Sequence, residues 1–296
     1  MKQVGLALHT YAGTHGMFPG LNGLTIDTRG PVHFYAHAYS PFARMLAELD
    51  EQPLYNATNF SPAATSARAL QDNLTVMTMT VALFLCPEDG AGPPPGYGRV
   101  NLRFNQGATP WNTPSSWSPD SHDSPFTMTR FYAPADFRDG LSQTAGVSER
   151  LQGGWVKSRW SRGDYLLTSV GAGGLVPHGG ADWALGVCAA APAGTAIETR
   201  AGESWFLSGL HYTSYNHCGT PNAPVADCSL YDSTSGTVHD RTLHAGVMTA
   251  RSGHRGGVNV MLMDGSVRFV KDAVGKPVWR ALATRAGGEA IDADSF

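Results

Sequence analysis

Near the C-terminus, His254 precedes Asp264 and Gly265 by nine intervening residues, inside the segment HRGGVNVMLMDGSVRFVKD. A histidine and a carboxylate held together can move a proton or ligate a metal. Both residues also have a structural reading. Asp264-Gly265 is a turn pair, and His254 can hydrogen-bond backbone at a strand entrance where Gly256 and Gly257 let the chain bend.

Three other groups are candidates for metal chemistry or covalent linkage. His211, His217 and Cys218 stand close together, but their spacing matches no zinc pattern, and zinc needs three or four convergent ligands. Calcium takes oxygen donors, which Asp120, Asp123, Asp136 and Asp139 supply near turns, though without the spacing of a calcium loop. Asp136 and Asp139 are the calcium candidates, set against their reading as solvated loop acids. Cys218 and Cys228 bracket CGTPNAPVADC, whose turn formers can close a small disulfide ring, the alternative being buried free thiols.

Motifs for other chemistries are absent. There is no Gly-x-Ser-x-Gly elbow, no SxxK and no Cys–His pair in a recognisable context, and GAGG at 171–174 lacks the Gly-Lys-Ser/Thr ending of a phosphate loop. No segment nominates a pair of glycosidase carboxylates. Seven tryptophans, Trp111, Trp117 and Trp160 among them, can form a sugar-stacking surface or serve as core anchors.

The elements that must position these residues are short. The chain has 296 residues, with 35 glycines, 19 prolines and only 15% charged residues, a profile that suits a loop-rich β or α+β protein. A net charge of −3 without a Lys/Arg cluster removes the electrostatic footprint of nucleic-acid binding. No run of about 18 apolar residues occurs, and the first residues lack the form of a secretion signal. Taken by themselves, these absences describe a cytosolic chain.

Met1, Val4, Leu8 and Tyr11 predict a helix with one apolar stripe, ended by Gly13 and Gly16. It starts without a cap residue, which predicts a helix extending further upstream. Ser40 and Pro41 open a second helix with Phe42, Met45, Leu46 and Leu49 on one face. A third helix is expected over Ser66–Met79, and VALFLCP reads as a buried strand stopped by Pro87. Further strands are expected at Arg99–Asn105, Phe126–Tyr132, Gly154–Trp160 and Ser204–Tyr215, with short helices at Asp182–Ala190 and from Pro277 to about Arg285. Val258–Met263 and Ser266–Lys271 flank Asp264-Gly265, the signal of a hairpin with a two-residue type I′ turn. No internal repeat or domain linker is evident.

Several blocks, in order, resemble one bacterial family: KQVGLALHTYAGTHGMFPG at 2–20, LDEQPLYNATNF at 49–60, FLCPEDG at 84–90, DGLSQTAGVSERLQG at 139–153, YNHCGTPNAPVADC at 215–228 and WRALATRAGGEAIDADSF at 279–296. The family is the pilin-like domain-of-unknown-function family 1559, once labelled family 10 solute-binding proteins. Its C-terminal His-nine-Asp-Gly motif, described as associated with prepilin processing, falls here on His254, Asp264 and Gly265.

The resemblance implies an α+β pilin-like fold. Residues 1–14 would be the second half of the pilin helix, packed on an antiparallel sheet, and 15–296 one globular domain with a loop-rich β insertion and a C-terminal hairpin. It further implies a non-enzymatic structural or adhesive subunit of a type IV pilus-like or type II secretion pseudopilus-like filament, in the cell envelope or outside the cell. The partners would be other pilin or pseudopilin subunits, prepilin peptidase, and the inner membrane through an N-terminal helix that precedes this sequence. No cofactor is expected beyond the calcium candidates. The alternative function is an extracellular carbohydrate- or solute-binding module.

Overall fold

The computed structural model describes residues 1–21, 39–61, 71–90, 96–110, 123–127, 130–169, 179–231, 245–292 and 296. Helix α1 spans Lys2–His15, and its stripe is seated as the spacing predicts: Val4, Ala7 and Leu8 are buried, and Met1 and Tyr11 are half-buried. Gly16 closes it in the left-handed conformation (φ 75°), its N–H donating to the Ala12 carbonyl, as glycine does at a helix C-terminus.

The Ser40 hydroxyl caps α2 (Pro41–Arg44) by accepting the Ala43 N–H at 3.2 Å. The helix lasts about one turn before looser turns carry the buried Met45, Leu46 and Leu49 inward, so the expected amphipathic face survives without the expected length. Helices α3 (Gln52–Ala57) and α4 (Leu74–Thr78) follow. Of the expected helix over Ser66–Met79, the part up to residue 70 lies outside the described residues.

VALFLCP is not a strand. Ala82–Phe84 is one 3₁₀ turn, because only Val81 and Phe84 are buried there and their spacing of three is the repeat of a 3₁₀ helix. Phe84 packs on Phe42, ring centroids 4.3 Å apart.

Nine strands form two sheets among the described residues. The first has the order β5 (Ser214–Tyr215), β1 (Leu102–Asn105), β2 (Ala145–Glu149), β8 (Gly257–Leu262), β9 (Val267–Lys271). The second has the order β4 (Ile197–Glu198), β3 (Tyr165–Ser169), β6 (Asp227–Tyr231), β7 (Gly246–Val247). The fold is therefore α+β. Both sheets are mixed rather than antiparallel, since β1 runs parallel to β5 and β3 parallel to β6.

The first sheet feeds two cores, β8 by alternate residues, as the period of two requires, and β2 across the register shift between Ala145 and Val147. Phe104, Val147 and Met261 join the core beneath α1 and α2. Ala145, Val258, Val260 and Leu262 join Trp279 from helix α6 (Lys276–Ala281) on the other face. Helix α5 (Ala181–Ala189) covers the second sheet.

The hairpin pairs Val258 with Val270 and Met261 with Val267. Its turn differs from the expected type I′. Of Asp264 and Gly265 only Gly265 has positive φ (84°), the Gly265 N–H donates to Leu262 O, and the Leu262 N–H donates to Ser266 O. That is a three-residue loop ending in a left-handed glycine. Asp264 stabilises it by accepting the Ser266 N–H at 2.9 Å.

Three expected strands are mostly loop. At Gly154–Trp160, Trp155 has φ 62° and Arg159 closes a turn on Val156. In Ser204–Tyr215 the N–H groups of Tyr212, Thr213 and Ser214 all donate to the Gly209 carbonyl, leaving a single bridge from Leu207 to Tyr39 and the short strand Ser214–Tyr215. At Phe126–Tyr132, residues 128–129 lie outside the described set, and Thr127 binds the Arg130 backbone locally. No described helix is long and apolar enough to cross a membrane.

Candidate functional site

His254 lies in the loop that feeds β8. The approach depends on Gly253, where a Cβ would stand 2.5 Å from the Glu88 carbonyl oxygen, so only glycine lets this loop meet the turn after the 3₁₀ segment. The Ser252 hydroxyl accepts the His254 N–H at 3.1 Å. His254 Nε2 then lies 3.8 Å from Cys86 Sγ and 3.4 Å from Glu149 Oε1. Ligand atoms of these three residues all fall within 4.8 Å of one another.

Each partner is held from behind. Glu149 ends β2 with its side chain nearly buried, and both its oxygens accept from Asn259 of β8, Oε1 from Nδ2 at 2.8 Å and Oε2 from the backbone N–H at 3.2 Å. The Cys86 N–H donates to Asn101 Oδ1 at 2.9 Å. Asn101 also donates to Asp89 Oδ2, which accepts the Gln152 N–H. His254 is about a third exposed and Cys86 is half-buried, whereas Glu149 is buried, so the cluster opens on the side of the first two.

This arrangement is not a nucleophilic triad. In a triad the imidazole takes the nucleophile on one nitrogen and the carboxylate on the other, whereas here the same Nε2 faces both. Burial pushes the Cys86 thiol up, against lowering hydrogen bonds from the Glu88 and Asp89 backbone, the opposite of an activated cysteine. Three donors of different softness converging on one point suit a cation instead.

The motif residues separate. Asp264 and Gly265 sit at the far end of the hairpin from His254, under α1: the His9 ring binds the Met263 carbonyl at 2.8 Å. A Cβ on Gly5 would stand 2.9 Å from Gly265 Cα. The Asp-Gly pair is thus explained by the turn and the helix above it, while His254 belongs to the cluster.

The disulfide joins Cys188 to Cys228, with Cα atoms 5.4 Å apart, and not Cys218 to Cys228. Cys188 sits in the last turn of α5, over the start of β6, whereas the buried Cys218 thiol points to the Ala108 carbonyl at 3.8 Å. Cys86 and Cys218 are free.

His211 and His217 are committed elsewhere. His211 lies 2.8 Å from the Tyr165 hydroxyl and 3.2 Å from Glu203. His217 stacks on Trp279, its Nδ1 donating to the Trp279 carbonyl at 2.6 Å and its Nε2 accepting from the Tyr215 hydroxyl at 3.0 Å.

The calcium candidates serve backbone. Asp136 Oδ2 accepts the Ala133 N–H, and Asp139 accepts the N–H groups of Gly287 and Gly288. Asp123 faces Arg285 at 3.8 Å. Asp120, Trp111, Trp117 and GAGG at 171–174 lie outside the described residues.

A groove of about 400 Å³ is lined by Asp89, Gly154, Arg159, Trp160 and Ser161 among others, Asp89 being the residue that accepts from Asn101 behind Cys86. Trp160 is 42% exposed there.

A family model described as "Protein of unknown function (DUF1559)" matches residues 1–276. No curated protein and no solved structure matches the chain.

Proposed function

The chain belongs to the DUF1559 family, and from that premise we propose that it is the exposed globular part of a non-enzymatic structural or adhesive subunit, carried by a type IV pilus-like or pseudopilus-like filament of the cell envelope. The observation that carries this reading is the seating of α1. One face of the helix is locked onto the C-terminal hairpin through Gly5, His9 and the Val4–Leu8 stripe, while Leu6 on the opposite face is 70% exposed. A helix held this way can anchor the globular part to an assembly and still offer a surface to neighbouring subunits. The Cys188–Cys228 bridge fits an oxidising compartment.

In the full-length protein this reading requires an apolar continuation of α1, residence in the inner membrane before assembly, and cleavage by prepilin peptidase. The test is to translate the genomic DNA upstream of codon 1 and to follow the epitope-tagged chromosomal gene product through cell shearing. The reading expects a prepilin cleavage site, and tag in the sheared surface fraction that disappears when prepilin peptidase is deleted. Soluble tag, unaffected by the deletion, overturns it.

The groove with its exposed Trp160 supports the second reading, a carbohydrate- or solute-binding module, since an indole face beside polar groups suits sugar stacking. Quenching of Trp160 fluorescence by oligosaccharides, lost in Trp160→Ala, favours it over the filament reading.

A further inference from the structure

We propose that Cys86, Glu149 and His254 form a binding site for a zinc-class divalent cation, open to solvent or to a fourth ligand on the His254 side. The geometry carries this. A tetrahedral zinc with bonds of about 2.0 Å to nitrogen and oxygen and about 2.3 Å to sulfur sets its ligand atoms about 3.3 Å (N to O) and about 3.5 Å (N to S) apart. The corresponding distances here are 3.4 Å and 3.8 Å. The 3.4 Å separation exceeds the 2.7–3.2 Å of a good N–H···O hydrogen bond, and 3.8 Å is also within reach of a hydrogen bond to sulfur; two of the three pairs thus stand close to the spacing a shared ion would impose, and all three ligand atoms lie within 4.8 Å of one another.

The surroundings fit as well. Metal-ligating carboxylates are characteristically held by outer hydrogen bonds, and Glu149 has two from Asn259. The ligands come from three segments of the chain: the turn after the 3₁₀ segment, the end of β2 and the loop before β8. Sulfur and imidazole select zinc, cobalt or nickel over calcium and magnesium. Three protein ligands leave one position for water or an incoming donor. On binding, the Cys86 S–H bond breaks, the electron pair goes to the metal and the proton to solvent.

The experiment uses the full, tag-free chain stripped of metal with chelator. Zn²⁺ is titrated calorimetrically, and Co²⁺ serves as a spectroscopic probe. The expected result is one equivalent bound, with thiolate-to-cobalt charge transfer and tetrahedral d–d bands. Cys86→Ser should abolish the charge-transfer band, and His254→Gln and Glu149→Gln should each weaken Zn²⁺ binding at least about 10-fold, the lower edge of what even outer-ligand changes cost. Cys218→Ser should leave everything unchanged, and Ca²⁺ should not compete. If Cys86→Ser fails to fold, His254→Gln decides, because that side chain is about a third exposed. No saturable Zn²⁺ binding, a cobalt spectrum without thiolate character, or undiminished affinity in His254→Gln overturns the proposal and leaves an ordinary His–Glu contact beside a free thiol.

Discussion

Gly5 of α1 lies directly over Gly265 of the hairpin turn, so close that a Cβ on Gly5 would stand 2.9 Å from the Gly265 Cα and 3.1 Å from Met261 Sδ. The Gly265 backbone cannot swing aside as a side-chain end would. Gly5→Ala should therefore lift the helix and destabilise the protein by about 1–3 kcal/mol, the usual cost of overpacking. Gly13, on the same helix, has nothing within 4 Å of where a Cβ would sit and should respond in the opposite sense: Gly13→Ala stabilises by up to about 1 kcal/mol. Urea denaturation of the two variants checks both signs.

Non-reducing peptide mapping should recover the Cys188 peptide joined to the Cys228 peptide, with Cys86 and Cys218 alkylated as free thiols. Cys188→Ser with Cys228→Ser should lower unfolding free energy by up to about 4 kcal/mol on the loop-entropy estimate for a bridge of this span. A Cys218–Cys228 peptide would contradict the structure.

Burial holds His217 neutral, its pKa pushed down to about 3 despite the raising effect of the Trp279 carbonyl. The unfolded chain takes up this proton near pH 6.5 and the folded one does not, so the contribution is intact above pH 6.5 and is lost as pH falls toward 3. The slope is about 1.4 kcal/mol per pH unit in that window, or about 2 kcal/mol by pH 5. His217→Asn lowers stability at neutral pH but should flatten the difference curve between pH 6.5 and 5. An unchanged slope would rule out His217 as the source.

Asp227 is fully buried between two guanidinium groups, Arg150 at 2.9 Å and Arg251 at 3.0 Å, and also accepts from Thr249. Burial pushes its carboxyl up, and Arg251 and Arg150 outweigh this to hold it below the ordinary value. Asp227→Asn strands two buried cations and should cost about 3–5 kcal/mol. Lowering pH works in the same direction, since the stabilisation is lost as pH falls through the depressed folded pKa. Thermal melts of the variant at pH 7 give the size of the effect.

Where the sequence carries a local chemical reason, the structure follows it. Ser40-Pro41, Gly16 and the hairpin around Asp264-Gly265 are each dictated by one or two residues and their neighbours. Where burial pattern alone has to choose, it misleads: Val81 and Phe84 suit a 3₁₀ turn as well as a strand, and the aromatic-rich Ser204–Tyr215 segment folds around the Gly209 carbonyl. One of the three residues of the candidate site is legible. His254 stands out through its spacing from Asp264, but Cys86 and Glu149 have no sequence signal linking them to it. Only the pairing of β2 with β8 and the close approach at Gly253 bring them together. The disulfide partner is hidden for a related reason, because proximity along the chain favours Cys218 while α5 delivers Cys188.

The seat of α1 has a consequence for the order of events during synthesis. Helix α1 rests on a hairpin translated long after it, and the central strand β2 lies between β1, which precedes it, and the distant β8. Such distant pairings close slowly. Until residues 257–271 arrive, Gly5 and His9 lack the turn they seat on and the core beneath α1 lacks Met261 and Met263, so part of the Val4–Leu8 stripe stays uncovered in the nascent chain.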